Sequence, residues 1–217
     1  MDKLVIKKDN VSPLFESRYI KVYDLEYKEG KHYYDATRRN MDDIVAIKSD
    51  EEFKQMIPDA VTCVVVIREK GKEAKLLLSR EYRYPAGQFL LSPPAGLIDP
   101  SDKDKIDPII ETAKREIAEE TGLIVKETDR VETINPLLFS SPGMTDESNA
   151  LALAVIDVED LSALDQSGAE GTELFDGFVL VDKEEASNLL KAGRDLDGIF
   201  YSVYTWAVLM YFVSTSF

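Results

Sequence analysis

The chain has 217 residues, enough for one domain with a full hydrophobic core or for one domain with a small appendage. Hydrophobic residues make up 44% and charged residues 31%, a balance that excludes a disordered chain and indicates a globular protein. The formal net charge of −15 argues against binding to nucleic acid or to an anionic membrane, because phosphate contacts need clustered lysine and arginine.

The first part of the chain predicts an arm of antiparallel β-strands. Alternating apolar and polar residues flank the turn Lys28–Lys31, a pattern typical of a β-hairpin. Strands are predicted at residues 17–27, 32–37 and 43–48. A soft boundary near Pro58 divides the chain into an N-terminal β-strand region, residues 1–57, and a second domain, residues 58–217.

The second domain reads as strands with a few interspersed helices. Strands are predicted at residues 61–67, 74–79, 88–91, 131–139, 150–158 and 174–181, and helices at residues 108–121, 182–192 and 198–212. The polar segment Asp99–Ile106 is predicted to be a loop. This mixture predicts the α+β class, with helices packed on a mixed sheet.

Three features bear on the cellular compartment. The single cysteine, Cys63, lies in the apolar run Val61–Ile67 and predicts a buried, inert thiol rather than a disulfide. The first four residues lack the basic start and apolar stretch of a signal peptide. The apolar stretch Tyr204–Val213 is too short to span a bilayer. We therefore expect a cytoplasmic protein.

The most informative run is Arg115–Leu123 near the end of the predicted helix. Glu116, Glu119 and Glu120 are spaced i, i+3 and i+4, so their carboxylates share one helical face. They repel each other, and the helix dipole disfavours anions at this end. Such a face is either solvated, which is the plainer interpretation of an acidic run, or binds a hard cation such as Mg²⁺ or Mn²⁺.

The surrounding residues resemble the signature of the Nudix family: a glycine, a spaced glutamate, then Arg-Glu-aliphatic-x-Glu-Glu-x-Gly-aliphatic. The segment Pro94–Asp99 supplies the loop glycine, and Arg115–Leu123 matches the second half at every fixed position. The resemblance implies a Nudix-type α/β/α sandwich. It also implies hydrolysis of a nucleoside diphosphate linked to another group, on a strand–loop–helix module that holds the metal.

By this resemblance Glu116 and Glu120 are the principal metal ligands, and Glu119 assists directly or through water. Arg115 orients the glutamates through charge-assisted hydrogen bonds. The carbonyl of Ala95 completes the metal shell, although its position in the sequence is also compatible with a plain turn. The implied cofactor is Mg²⁺, with Mn²⁺ as a possible substitute.

The sequence departs from the signature in two places. Gly96 lies nineteen residues before Arg115 where the family pattern has fourteen, which indicates an insertion of five residues within Asp99–Ile106. The glutamate expected eight residues before the arginine is replaced by Asp107. Because Asp107 precedes Pro108, it is predicted to cap the helix rather than to bind metal.

The segment Ser79–Pro85 resembles the ADP-ribose pyrophosphatase group, in which a strand ends in an aromatic-arginine pair before a proline. The resemblance implies that Arg83 contacts a substrate phosphate, since a guanidinium grips phosphate through two hydrogen bonds. An ordinary surface arginine is the alternative. The acidic residue that the group usually has before Pro-Ala-Gly is replaced by Ser92.

The turn-rich loop Ser140–Ser148 resembles a loop of the same group that carries a glutamate acting as general base or metal ligand. Glu147 matches that glutamate, and Asp146 is the neighbour that could substitute. The chemistry needs such a group, because water must lose a proton as it attacks phosphorus. A solvated loop carboxylate is an equally open interpretation.

The N-terminal hairpin resembles the dimer-forming strands of this group. Tyr34 and Arg39 are spaced as the aromatic and arginine that hold the adenine and its ribose or phosphate, although tyrosine at a strand edge often serves packing. Residues 17–48 have alternating apolar positions and too few partners for an independent core. A homodimer is therefore predicted.

These features predict a pyrophosphohydrolase that cleaves ADP-ribose to AMP and ribose 5-phosphate with two or three Mg²⁺ ions. Another nucleotide sugar remains open as substrate. A Nudix-fold module that binds a nucleotide without cutting it is the alternative from another class, disfavoured by the full glutamate set but favoured by Asp107 and the insertion. A transcription factor would need a basic helix-turn-helix segment, whereas the chain after the box is acidic and apolar.

Overall fold

The computed structural model describes residues 4–103, 105–168 and 172–217. Residues 1–3, which begin the N-terminal segment considered above, and Asp104, within the predicted insertion, lie outside the described residues. The chain divides into two compact units. Unit 1 comprises Met1–Asp59 and Leu137–Asn149, and unit 2 comprises Ala60–Pro136 and Ala150–Phe217.

Unit 1 contains a three-stranded antiparallel sheet in the order β1-β2-β3. Its elements are β1 (Val11–Glu16), β2 (Lys21–Lys28), β3 (Lys31–Thr37) and the short helix α1 (Asp50–Lys54). The predicted hairpin is confirmed as β2 and β3. The strand predicted at Asp43–Lys48 is wrong, because that segment contains a 3₁₀ turn at Val45–Ile47. The third strand is β1, where Pro13 is accommodated at the sheet edge beside a register shift.

A small core holds the strands of unit 1 together. Its buried members are Val11, Tyr23, Leu25 and Ile44. Tyr23 is fully buried, and its hydroxyl donates to the carboxylate of Glu16 at 3.0 Å. The segment is not a strand because the N–H of Val45 donates to the side chain of Asp146 at 3.0 Å rather than to a neighbouring strand, while Ile44 beside it is buried in this core. This core includes Val11 of β1, which lies outside residues 17–48.

Unit 2 is built on a seven-stranded sheet whose main path is β10-β5-β4-β9-β8, with β6 paired to β5 and β7 to β4. Its strands are β4 (Ala60–Glu69), β5 (Lys75–Arg83), β6 (Gln88–Ser92), β7 (Ala95–Leu97), β8 (Arg130–Phe139), β9 (Ser148–Val158) and β10 (Phe175–Val181). Its helices are α2 (Pro100–Lys103), α3 (Pro108–Thr121), α4 (Lys183–Ala192) and α5 (Val203–Ser214).

Both faces of this sheet are covered by helices. Successive side chains of a strand point to opposite faces. In β4, Val65 packs in one core with Ile117 of α3, whereas Val64 and Val66 pack in a second core with helices α4 and α5. Burying a side chain such as the fully buried Ile117 contributes roughly 1.5–3 kcal/mol. The two cores give the three-layer α/β/α arrangement and confirm the predicted α+β class.

Three predictions about unit 2 need correction or addition. The predicted loop Asp99–Ile106 contains helix α2, stabilised by tertiary hydrogen bonds that a local pattern does not reveal. Helix α5 begins at Val203 with Ser202 as its cap, rather than at residue 198. Strand β7 had not been predicted. In the described parts of the chain, no helix is both long and apolar enough to cross a membrane.

Candidate active site

Helix α3 places the predicted acidic residues in its last two turns. Its start is fixed by Asp107, whose side chain accepts a hydrogen bond from the N–H of Ile110 at 3.2 Å, followed by Pro108. Its end is fixed by Gly122, which adopts the left-handed conformation with φ of 73°. The helix-capping role predicted for Asp107 is therefore confirmed.

The acidic face of α3 is not a solvated one. Glu116 is 5% exposed and Glu120 is 3% exposed, one helical turn apart. They flank Ile117, which anchors the helix in the core. Glu119 is only partly buried. Burial of two carboxylates is costly unless they are paired or bind a cation, so the ordinary solvated face is excluded as an interpretation of this pair.

Strand β7 runs directly against these carboxylates. The N–H of Ala95 donates to Glu120 Oε1 at 3.3 Å. A Cβ atom on Gly96 would lie 1.9 Å from Glu116 Oε1 and 2.0 Å from its Cδ, so only glycine leaves room for the carboxylate. Pairing of β7 with β4, Gly96 opposite Val61, fixes this approach. The strand and the helix end therefore form one unit around the two carboxylates.

Arg115 contacts several of the groups around the two carboxylates. Its Nη1 lies 2.8 Å from Glu116 Oε1 and donates to Glu119 Oε2 at 2.9 Å, while its Nη2 donates to the Leu97 carbonyl at 2.8 Å. Its Nε donates to Asp102 Oδ2 at 3.2 Å. Burial lowers the pKa of Arg115, but the carboxylates, Glu116 first, outweigh it and raise that pKa above the ordinary value. The predicted contacts of Arg115 with the glutamates are present.

The protonation of the carboxylate pair reflects this environment. Burial raises the pKa of Glu116 to about 7, although the neighbouring Arg115 lowers it. Burial, followed by the charge of Glu81, raises the pKa of Glu120 well above its ordinary value. Cys63 is fully buried as predicted, and burial with the Glu120 and Glu116 charges raises its pKa too. A cation bound by Glu116 and Glu120 would offset both the cost of burying these carboxylates and their mutual repulsion.

The donors fit a magnesium-type ion. Within residues 4–103, 105–168 and 172–217, no three His, Cys, Asp or Glu side chains form a ready-made metal-binding group. Mg²⁺ does not require such a cage, because it usually keeps several waters and is held by one or two carboxylates together with substrate phosphate. Glu116 and Glu120 supply two hard oxygen donors, and the room left by Gly96 brings the backbone of β7 beside them.

Glu81 is a further acidic residue of this site that no sequence motif singled out. It lies on β5 with the same alternation as Leu77, which packs in the core with α3. Its side chain is 12% exposed and lies 2.5 Å from Arg83 Nη2, and burial raises its pKa. Arg83, the predicted phosphate contact, is thus at the end of the same strand face with its side chain 46% exposed. Period-two alternation along β5, read together with the β5–β6 pairing, would have indicated Glu81.

The raised pKa of Glu116 leads to a test of stability against pH. The folded state retains a proton that the unfolded chain releases above its ordinary pKa of 4.5. The stabilisation of the folded state by this proton on Glu116 is therefore complete below pH 4.5 and is lost as pH rises through about 7. We expect the Tm of the metal-free protein to fall across this window relative to Glu116→Gln. Calorimetry with a chelator measures it, and Mg²⁺ should narrow the difference because it favours the ionised carboxylate. Parallel pH curves for the two proteins would contradict the assignment.

The predicted loop acids lie in unit 1 and differ in their surroundings. The side chain of Glu147 is 35% exposed, and Arg38 Nε donates to its Oε1 at 3.1 Å. Asp146 is buried; its Oδ2 accepts from the N–H of Val45 at 3.0 Å and lies 3.4 Å from Arg39 Nε. Of the two neighbours, Glu147 has the more accessible carboxylate.

The other two predicted substrate contacts also lie in unit 1. Arg39 is mostly buried, and its Nη2 donates to Asp59 Oδ2 at 2.7 Å. Tyr34 is exposed and lines a cleft of about 210 Å³ with Asp35 and Asp146. Asp35 Oδ2 and Asp146 Oδ1 are buried and have no hydrogen-bond partner among the residues that the structure describes. Burial, then the charge of Asp146, raises the pKa of Asp35 to about 6.

The fold and the site define a class: an α/β/α domain with a buried glutamate pair on a strand–loop–helix module. Residues 56–201, more than half of the chain, match the NUDIX domain. The chain belongs to the Nudix hydrolase family, as the resemblance implied. Members of this family generally use divalent metals.

Relatives and a solved structure agree with this membership. The chain is 32% identical over 117 residues to the chloroplastic Nudix hydrolase 14 of Arabidopsis thaliana, covering 48% of this chain and 37% of that protein. It is 27% identical over 140 residues to an ADP-ribose pyrophosphatase of Bacillus subtilis, covering 64% of this chain and 66% of that protein. The chain spans less than half the length of several curated relatives it matches.

A crystal structure of an ADP compounds hydrolase superposes with a TM-score of 0.58 at 21% identity, over 93% of this chain and 88% of that one. This likeness confirms the predicted Nudix-type fold.

Proposed function

We propose that the protein hydrolyses the pyrophosphate bond of a nucleoside diphosphate derivative, with ADP-ribose as the leading substrate and AMP and ribose 5-phosphate as products. The observation that carries the proposal is the buried pair Glu116 and Glu120, one turn apart and closed in by Gly96 and Ala95. Similarity to an ADP-ribose pyrophosphatase supports the choice of substrate.

In this proposal Glu116 and Glu120 hold Mg²⁺, or Mn²⁺ in its place, with help from Glu119 and the Ala95 carbonyl. When bound, the divalent ion neutralises the diphosphate and makes the attacking water more acidic. Arg115 fixes the directions of Glu116 and Glu119 through its Nη1. These groups are preorganised by the fold, so little reorganisation is needed when substrate arrives.

Two further residues act on the substrate and the water. Arg83 binds a phosphate oxygen through its exposed guanidinium, and Glu81 beside it limits the directions that the guanidinium can take. Glu147 accepts the proton of the attacking water as general base. A loop acid of this kind can move into place when substrate binds, leaving its partner Arg38.

The cleft of unit 1 is the proposed site for a base such as adenine. Tyr34 offers an aromatic face for stacking against the base, and Asp35 and Asp146 also line the cleft. Arg39 holds Asp146 in the cleft wall.

Incubation with Mg²⁺ and a panel of nucleoside diphosphate sugars, followed by separation of the products, tests this function. Cleavage of ADP-ribose to AMP and ribose 5-phosphate, at a higher kcat/KM than the other members, is expected. Preference for another nucleotide sugar would keep the chemistry and change the substrate. Tight nucleotide binding without any cleavage would replace the enzyme with a non-catalytic sensor.

Glu147→Gln is expected to lower kcat by about a hundred- to ten-thousandfold, the range typical of general-base catalysis. KM should stay nearly constant, because the carboxylate acts on water rather than on ground-state binding. The pH–rate profile should also lose its acidic limb. Steady-state kinetics across pH measures all three effects.

Asp146→Asn is the matched comparison for Glu147→Gln. Because Asp146 is buried and paired with Arg39, its replacement should lower the free energy of unfolding by about 1–3 kcal/mol while changing kcat little. An essential Asp146 with a dispensable Glu147 would move the base by one position. If both replacements are mild, the base lies elsewhere, and Glu119 becomes the first candidate.

We further propose that the N-terminal strands, residues 1–57, form a homodimer. Unit 1 exposes large apolar side chains on its strands and on the β1–β2 connection, which a second copy related by a twofold axis could cover. They include Leu14, Phe15 and Tyr33 of the strands and Tyr19 and Ile20 of the connection.

Light scattering should give about twice the 24.4 kDa chain mass. Phe15→Glu should shift the protein to monomer, because an interface cannot bury an unpaired carboxylate cheaply. Leu196→Glu, at a still more exposed site in unit 2, should leave the dimer unchanged. A wild-type monomer at micromolar concentration would overturn the proposal.

A further inference from the structure

The carboxylate that anchors Arg115 comes from the short helix α2, inside the segment that departs from the family signature. Asp102 is 7% exposed, and its Oδ2 accepts hydrogen bonds from Arg115 Nε and from Thr112 Oγ1, each at 3.2 Å. Asp107, at the position where the signature has glutamate, is exposed and used for capping helix α3. The acid that faces the arginine therefore lies five residues earlier in the chain.

This contact determines where the guanidinium points. A guanidinium is planar and presents its N–H groups in a rigid fork. The carboxylate of Asp102 accepts a hydrogen bond from Nε, and the Leu97 carbonyl accepts one from Nη2 at 2.8 Å. These two contacts direct Nη1 of Arg115 toward Glu116 Oε1, at 2.8 Å, and Glu119 Oε2, at 2.9 Å. Without Asp102 the guanidinium could rotate, and both glutamates would lose a fixed partner.

We propose that Asp102 is a positioning residue for the active site: it orients Arg115, and through Arg115 it sets the directions of Glu116 and Glu119. Helix α2, which lies within the inserted segment, is then a working part of the site through Asp102. This inference rests on the proposed function, because those glutamates are assigned there to the divalent ion. Residues that orient metal ligands typically change metal affinity or activity by about 10- to 100-fold when replaced.

The test compares Asp102→Asn with two controls in the full chain. Asp99→Asn removes another carboxylate near the same arginine, but one that is exposed and 3.7 Å from Nη2. Thr112→Val removes the second hydrogen bond to Asp102 and leaves Arg115 alone. The controls separate the orienting contact from general charge near Arg115 and from the packing of α2 on α3.

Three readouts are needed. Electron paramagnetic resonance follows binding of Mn²⁺ alone, NMR follows the Nε–Hε resonance of Arg115, and kinetics with ADP-ribose separates kcat from KM. For Asp102→Asn we expect Mn²⁺ affinity and kcat to fall by about 10- to 100-fold, KM to change little, and the Arg115 resonance to lose its hydrogen-bonded shift. Asp99→Asn and Thr112→Val should keep both the resonance and the affinity.

Asp102→Glu restores the charge and should recover part of the affinity; it also serves as the test if Asp102→Asn does not fold. Wild-type Mn²⁺ affinity in a folded Asp102→Asn protein would overturn the proposal, and so would an equal loss in Thr112→Val. If the wild-type protein cleaves no substrate, the proposed function fails, but Mn²⁺ binding and the Arg115 resonance still decide the role of Asp102.

Discussion

Glu120→Gln is expected to lower kcat by at least about a hundredfold, equivalent to about 3 kcal/mol of transition-state stabilisation. Glutamine keeps the size of the side chain and can still accept the hydrogen bond from the Ala95 N–H, but it removes the charge that, in the proposed function, binds the divalent ion. The fold should stay intact or become slightly more stable. The reason is that Glu120 is 3% exposed beside other carboxylates, so loss of its charge relieves both burial and repulsion.

The measurement combines steady-state kinetics with Tm in a chelator and in Mg²⁺. Glu111→Gln is the matched control, since Glu111 lies on the same helix but is paired with Lys114 in a half-exposed ion pair. That change should leave kcat within about twofold, as exposed pairs of this kind contribute little. The wild-type protein should gain Tm on addition of Mg²⁺, whereas Glu120→Gln should gain less. A Glu120→Gln enzyme with normal kcat would remove the metal-site assignment.

Gly96→Ala is expected to lower kcat by a similar factor, but by displacing a carboxylate rather than by removing its charge. The added Cβ would lie 1.9 Å from Glu116 Oε1, far inside contact distance, so the carboxylate must leave its position. The chain itself should tolerate alanine, because Gly96 is not among the glycines with positive φ. We therefore expect a folded protein with kcat reduced by about a hundredfold and a Tm that responds weakly to Mg²⁺.

A double-mutant cycle with Glu116→Ala tests this route. If Gly96→Ala acts only by displacing the Glu116 carboxylate, it should cost little more once that carboxylate is gone. A full additional loss in the Glu116→Ala background would show that the glycine matters for substrate or for the loop instead. An active Gly96→Ala single variant would mean that the close approach of β7 to Glu116 is dispensable.

The two changes together also separate the enzyme from a nucleotide-binding module. A protein that only binds nucleotide has no reaction for these carboxylates to accelerate, so its nucleotide affinity should fall little in either variant. An enzyme of the proposed kind should lose kcat in both. Nucleotide affinity and kcat should therefore be measured together in both variants, because only the comparison of the two distinguishes an enzyme from a nucleotide-binding module.

Several features of this protein were readable from the sequence because they are local. Helix α3 was predicted with its observed bounds, since Asp107-Pro108 starts it and Gly122 ends it. The spacing of Glu116, Glu119 and Glu120 placed them on one face without reference to the rest of the chain. The hairpin of β2 and β3 follows in the same way from alternation on both sides of a turn.

Other features depended on contacts between segments that are distant in the chain. The sequence marks Glu116 and Glu120 as neighbours, but only packing of α3 on the sheet decides that they are buried, with β7 held against them by β4. The run at Asp43–Lys48 has a strand-like composition, yet the N–H of Val45 bonds to the side chain of Asp146, about a hundred residues along the chain, and the segment forms a 3₁₀ turn. Local propensity is weak compared with such tertiary contacts, which is why that prediction failed.

The positions of Glu81 and Asp102 in the site also depend on contacts between segments that are distant in the chain. Glu81 lies on β5 close enough for its charge to raise the pKa of Glu120, and Asp102 reaches Arg115 because α2 folds back on α3. Neither residue stands in a motif, since a carboxylate can act from any chain position that the fold brings within hydrogen-bonding distance. The sequence alone determined helix α3 and the acidic face to which the proposed chemistry is assigned. The tertiary structure decided which side chains surround it, because burial and hydrogen bonding are set by neighbours in space rather than in sequence.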